Sequence, residues 1–402
     1  MRLLLLLLLA WLALVAGALL WHRRGLMALW REPVLDQPVL IIESDDWGAG
    51  PVDSQTQALN RLVDLLTRFR DRAGRHPVMT LALVLAVPDG PAIRREGDYR
   101  RLTLADPLFA PLRAAIERGR RAGVFALQLH GMEHYWPPAL MASRDPSVRA
   151  WLESDSPPAT ERLPAHLQSR WTDASVLPSR PLSDEAIEAA VREEVALFER
   201  LFGEKPRVAV PPTFVWDERV EAAWAGAGIE VVVTPGLRSR CRNAKGLPDC
   251  DSGLIVNGQT GPGVRYIVRN DYFEPERGHR AAQGLDALQR KWAQRRPCLL
   301  ETHRSNFIGE AATAEQALAA LGDLIEQALR RYPNLRFMDT ATLASAYRSA
   351  NPVATDLATH WQAWRARVRE RRGFMRCAKL AGLGWLFNPR PALAGGPAVH
   401  PA

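Results

Sequence analysis

From residue 38 to residue 349, short apolar segments rich in β-branched residues alternate with longer amphipathic ones, and this alternation restricts the fold to repeated β-α units around a parallel sheet. The strand candidates are 38–45, 78–85, 124–130, 207–212, 230–236, 264–270, 297–303 and 335–340. Helical periodicity fills 54–72, 106–122, 183–203, 217–227, 279–295, 312–331 and 340–349. Seven or eight such units predict a distorted (β/α)7-8 barrel in preference to an open sheet. Residues 135–182 break the rhythm: rich in Pro, Ser and Asp and too long for an ordinary βα connection, they are expected to be a functional or disordered insertion.

The barrel segment, 32–350, lies between two different ends. Leu3 to Trp21 is an uncharged apolar run of about the length needed to cross a hydrocarbon core, so 1–31 is expected to be a transmembrane helix. Ala16-Gly17-Ala18 has the form of a cleavage site and keeps a signal peptide as the competitor, although the run continues past it to Trp21. Arg2 precedes the span while Arg23, Arg24 and Arg31 follow it, which by the positive-inside rule places the barrel in the cytoplasm. In the tail, 351–402, arginines interleave with Trp361, Trp364, Phe374 and Trp385. That pattern suits an amphipathic helix on an anionic membrane surface, or a last helix packed on the barrel with a solvated basic face. The final residues, from Pro391, are expected to be disordered.

With 402 residues, 47% of them hydrophobic, the chain is long enough for a large core. Lys+Arg of 52 against Asp+Glu of 44 gives +8, but no nucleic-acid motif accompanies the excess, so nucleic acid is not expected as a partner. Cys241, Cys250, Cys298 and Cys377 form no C-x-x-C pattern; Cys241 and Cys250 flank a short loop that a disulfide is expected to close only in an extracytoplasmic domain.

Side chains at the C-terminal ends of parallel barrel strands face the active site. Those positions hold Asp45 and Asp46, His130 and His134, Asn270 and Asp271, and Glu301 and His303. Two imidazoles and a carboxylate suit a divalent cation with positions left open for water and substrate. Successive side chains of an extended strand point to opposite faces, so one aspartate is expected to bind metal while its neighbour is free for a separate role as base. Competing readings are a turn or N-cap pair for Asp45 and Asp46, a core histidine for His303 with Glu301 taking its role, and an H-x-x-E-H metalloprotease with Glu133 as base. The last needs a helix where a strand pattern runs directly into His130. Trp47, Trp136 and Trp216 fall near strand-end loops, where an aromatic face stacks on a sugar or packs beneath a loop.

Taken together, "SDDWG", "HGMEH" and "LLETH" resemble the polysaccharide deacetylase (NodB-homology) family over roughly residues 38 to 345. The resemblance implies a distorted barrel with a divalent metal, zinc first and nickel, cobalt or manganese as alternatives, that removes N- or O-acetyl groups from an acetylated glycan. It implies Asp46, His130 and His134 as metal ligands, Asp45 as general base, His303 as general acid, and Trp47, Pro212, Asp271, Arg304 and Asn306 around the substrate. In that scheme Asp45 takes a proton from water and His303 returns one to the leaving amine or alcohol. The chain departs from the family pattern at Trp47, where glycine is usual, at Gly131, where Ser or Thr is usual, and at Val210 in "VPPTF", where an arginine normally orients the base. Arg304 is the substitute the sequence suggests. Val210 also supports a second reading, a degenerate barrel that binds glycan in envelope-polysaccharide assembly without catalysis. The family usually works outside the cytoplasm, opposite to the positive-inside reading, so the sequence leaves a single-pass cell-membrane protein with its side open.

Overall fold

A computed structural model describes residues 2–250, 253–349 and 356–387, with the side chain of Cys250 and the end of the tail outside the described residues. The barrel strands are β1 (Val39–Gly48), β2 (Met79–Val84), β3 (Phe125–Leu129), β4 (Val208–Ala209), β5 (Val231–Thr234), β6 (Arg265–Val268), β7 (Asp271–Tyr272), β8 (Cys298–His303) and β9 (Arg336–Phe337). They pair in parallel in the order β6-β5-β4-β3-β2-β1-β8-β7, with β9 beside the start of β1. The expected distorted barrel is therefore present.

Its strands are buried on both faces, which is why they read as apolar runs. On β1, Leu40 and Ile42 join the outer core, while Val39 and Ile41 face the concave side with Val208, Val231, Ile267 and Leu299. The outer core is covered by helices α2 (Val52–Leu66), α3 (Ala110–Arg121), α4 (Asp184–Phe202), α5 (Glu218–Gly226), α6 (Ala281–Ala293) and α7 (Ala311–Arg331). Helix α8 (Thr340–Ser349) packs Leu343 and Ala344 into the concave cluster.

The sheet path ends on β6 and β7, which are consecutive in the chain. One extended segment pairs first with β5 and then with β8, so the barrel closes through Arg269 and Asn270. The Arg269 N–H donates to Thr234 O at 2.9 Å, and the Asn270 side chain bonds Pro297 O at 3.0 Å and the Leu299 N–H at 3.3 Å.

The insertion is folded around its own core of Tyr135, Leu140, Val148, Trp151, Leu163 and Leu167. Between β5 and β6 a hairpin sets Cys241 opposite Asp249 and Ser239 opposite Cys250. The predicted Cys241–Cys250 pairing involves a side chain outside the described residues.

The N-terminal helix α1 (Arg2–Arg31) is long and apolar enough to cross a membrane, a test that a signal sequence also passes. Its last turns are held by the tail helices, Leu357–Val368 and Arg372–Leu380. Buried Arg367 donates to the carbonyls of Gln294, Glu32, Pro33 and Arg295 at 2.7 to 3.2 Å and lies 3.6 Å from the Glu32 carboxylate. These contacts place the helix at the end of the barrel where the strands begin. The Arg367→Ala variant leaves several buried carbonyls without their donor and removes one of the two cations beside the buried Glu32, at a cost of about 3–5 kcal/mol. A lower melting temperature, with early proteolysis within 356–387, is the expected result.

Candidate active site

The site begins with an irregularity in β1. Its register against β2 shifts between Ser44 and Trp47, and Asp46 lies at φ 70°, in the left-handed region that Asp tolerates better than most residues. The bulge turns Trp47 into the outer core, where its indole N–H donates to Ser44 Oγ at 2.8 Å and its ring stacks on Phe307. It also brings both carboxylates to one imidazole: His130 Nε2 lies 3.9 Å from Asp45 Oδ2 and 3.5 Å from Asp46 Oδ1. The expectation that neighbouring aspartates point apart holds only for a regular strand, and this one is bulged.

His130 directly follows β3, and its Nδ1 bonds Val210 O at 2.8 Å, which leaves Nε2 facing the aspartates. Val210, the position without the family arginine, thus orients a histidine through its backbone. Gly131 follows at φ 102°, where a Cβ would meet Glu133 O at 2.8 Å, and the turn it makes returns His134 Nε2 to within 3.2 Å of Asp46 Oδ1. No helix forms over 130–136, and Glu133 is buried towards Tyr99, Arg101 and Arg170, away from the histidines. The H-x-x-E-H arrangement is therefore not built.

Asp46 Oδ1 sits between the two Nε2 atoms without hydrogen-bond geometry to either. Donor atoms of Asp46, His130 and His134 all lie within 4.8 Å of one another. Burial brings the His134 imidazole down to about 4, making it a neutral lone-pair donor. Burial also pulls His130 down, but Asp45 and Asp46 outweigh it, so the field at its Nε2 calls for positive charge. Two imidazoles and one carboxylate in such a field fit a divalent cation.

Asp45 is held from the other side by Arg269, whose Nη1 and Nη2 donate to its two oxygens at 2.5 and 2.6 Å. Nε of the same guanidinium donates to Glu43 at 2.5 Å, and Glu301 lies 3.6 Å away. Burial raises the Asp45 carboxyl, but Arg269 and His130 overcome this and hold it below its usual value. Arg269 rests on the ring of Phe214, 5.7 Å from its centroid; Phe214 and Thr213 hold positive φ values of 55° and 54° in the turn that starts at Pro212. Arg242 secures that turn, donating to Thr213 Oγ1 at 2.9 Å and Ser169 Oγ at 2.8 Å.

Across β1 and β8, His303 pairs in register with Asp45, and donor atoms of Asp45, Glu301 and His303 lie within 4.8 Å. His303 Nδ1 bonds the buried Glu274 at 2.6 Å. Burial lowers the His303 imidazole, but the Glu274 hydrogen bond and the two aspartates prevail, so it holds its proton to about 10. Glu274 is fixed in turn by the Asn306 side chain, which also bonds Thr302 Oγ1 at 3.1 Å.

The structure brings together Asp45, Asp46, His130, His134 and His303. The other expected site residues lie elsewhere or are buried. Trp47 is fully buried and offers no stacking face, Pro212 is buried, and Asn306 supports Glu274. Asp271 faces outwards to Arg290 at 2.9 Å and Lys291 at 3.5 Å. Arg304 does not touch the Asp45 carboxylate; it ties Glu161 of the insertion to the mouth at 2.8 and 3.0 Å. The guanidinium that orients Asp45 belongs to Arg269, which the sequence reading missed although it follows Ile267 by two residues, at the C-terminal end of the same strand face.

These features define a parallel α/β barrel with an Asp-His-His cluster at its mouth. A sequence profile of glycosyl hydrolase family 57, a different family from the deacetylases, matches residues 170–273, a stretch that contains Arg269 but none of the three cluster residues. No curated protein matches the chain. Solved structures similar to it include the peptidoglycan deacetylase PdaC from Bacillus subtilis (10% identity, 79% of this chain and 94% of that chain, TM-score 0.37). Others are a family 4 carbohydrate esterase from Streptomyces lividans (10%, 75% and 92%, 0.33) and a 4-alpha-glucanotransferase from Thermococcus litoralis (10%, 78% and 40%, 0.39).

Replacing Arg269 with Met leaves three neighbouring carboxylates without their cation, and stability is expected to fall by about 3–5 kcal/mol in denaturant melts. The Glu274→Gln variant lowers the His303 pKa from about 10. Because that pKa is raised on folding, the histidine's stabilising effect is complete below about 6.5 and is lost as pH rises through about 10. An imidazole NMR titration should show the midpoint falling by at least about one unit in the variant.

Proposed function

We propose that this chain is a divalent-metal-dependent hydrolase that removes acetyl groups from an acetylated glycan. The observation that carries the reading is the pairing of an Asp46-His130-His134 donor set with two separately held proton carriers, Asp45 on Arg269 and His303 on Glu274. Asp46, His130 and His134 would hold the cation, which would polarise the acyl carbonyl and make a nearby water more acidic.

The chain's own groups account for the proton traffic. Asp45, kept anionic by Arg269, accepts the proton of the attacking water; His303, kept cationic by Glu274, donates from Nε2 to the departing nitrogen or oxygen. Each partner favours the charge its residue needs before the reaction starts. Val210 supported a non-catalytic barrel because it removed the arginine that orients the base; Arg269 supplies that guanidinium from another strand.

The test is acetate release from acetylated sugar oligomers by the purified full chain with zinc, nickel, cobalt or manganese. Asp45→Asn is expected to retain metal while turnover falls about 10²–10⁴-fold. The double variant Asp46→Ala/His130→Ala is expected to lose both metal and turnover. Absence of bound metal and of acetate release in the unaltered protein would overturn the reading.

A further inference from the structure

The second tail helix, Arg372–Leu380, runs back along the N-terminal helix. At one end Arg371 lies 3.7 Å from where a Cβ on Gly25 would stand; next, the rings of Phe374 and His22 meet edge to face at 5.7 Å; beyond the other end, Trp11 Nε1 donates to Ala381 O at 2.8 Å. Two hollows open along this seam. One, of about 630 Å³, is apolar and lined by Val15, Ala18, Leu19, Phe374, Ala378 and Phe387. The other, of about 810 Å³, lies further along the helix towards the barrel and is bordered by Arg23, Arg24, Arg31 and Arg371.

Among the described residues, none of these four guanidiniums forms an ion pair, whereas Arg296 and Arg367 close by are matched by Glu32 and Glu370. Arg23, Arg24 and Arg31 are exposed and Arg371 is half-buried, so the rim of this hollow is a cationic surface that attracts an anion. The apolar hollow borders the part of the helix suited to hydrocarbon, and it opens an apolar lining that includes the exposed Leu19. A ligand with a phosphate at one end and an acyl chain at the other matches the chemistry of both hollows, which follow one another along the same helix.

We propose that this seam is a binding site for one anionic phospholipid, its phosphate among Arg23, Arg24, Arg31 and Arg371 and an acyl chain between Ala18 and Ala378. The site is independent of the catalytic reading. Native mass spectrometry of the full chain in detergent, offered phosphatidylglycerol, phosphatidylcholine of the same chains, or glycerol phosphate, tests it. The expected result is retention of one phosphatidylglycerol at least about tenfold over phosphatidylcholine, with no retention of glycerol phosphate. Arg23→Gln/Arg24→Gln/Arg371→Gln should abolish the preference, and Ala378→Trp should reduce retention of both lipids, with unchanged circular dichroism. Equal retention of the two lipids by the unaltered chain, or glycerol phosphate bound as well as the lipid, would overturn the proposal without recourse to any variant.

Discussion

A single buried guanidinium governs the concave side of this barrel. Arg269 meets Glu43, Asp45 and Glu301, which come from β1 and β8, and stands at the point where the chain leaves β5 for β8. Without it, three carboxylates share a water-poor space at a large electrostatic cost. With it, closure of the barrel and orientation of Asp45 are one event, because the residue whose N–H joins β5 carries the side chain that reaches β1. The neighbouring Phe214 is held at positive φ beneath the cation, a strained backbone at the rim of the candidate site.

Much of the fold was legible because alternation is a direct consequence of burial. The apolar run at Val39 to Ile42 divides between two cores, and every expected strand is present within a few residues of its sequence bounds. The cluster residues were legible because strand ends define the mouth of any parallel barrel. Less accessible were features that depend on a break in regularity. Alternation carried past Arg269 puts Asp271 at the mouth, yet the chain changes partners at Asn270 and the phase reverses, sending Asp271 out to α6. Glu274 lies in an irregular stretch after β7 and meets His303 across 29 residues, a pairing no local pattern encodes.

Trp47 shows how a departure from a family pattern can be structural. Its side chain occupies the outer core and bonds Ser44 across the bulge, fixing the chain on both sides of Asp46. The residue that looked like a contact for sugar thus anchors the backbone that aims a metal-binding candidate. Arg304 is similar: buried behind the mouth, it holds the insertion through Glu161, so the long segment that broke the β-α rhythm is attached to the β8 end beside His303.

The N-terminal helix joins the barrel where the strands begin, whereas the candidate catalytic groups stand where they end. From Val39 to Asp46 the strand advances seven residues, roughly 20 Å at the rise of a strand. If that helix is set in a bilayer, the barrel becomes a pedestal with its opening turned to the aqueous side. Such a geometry sets the Asp-His-His cluster most of a strand's length away from the end of the barrel that holds the helix.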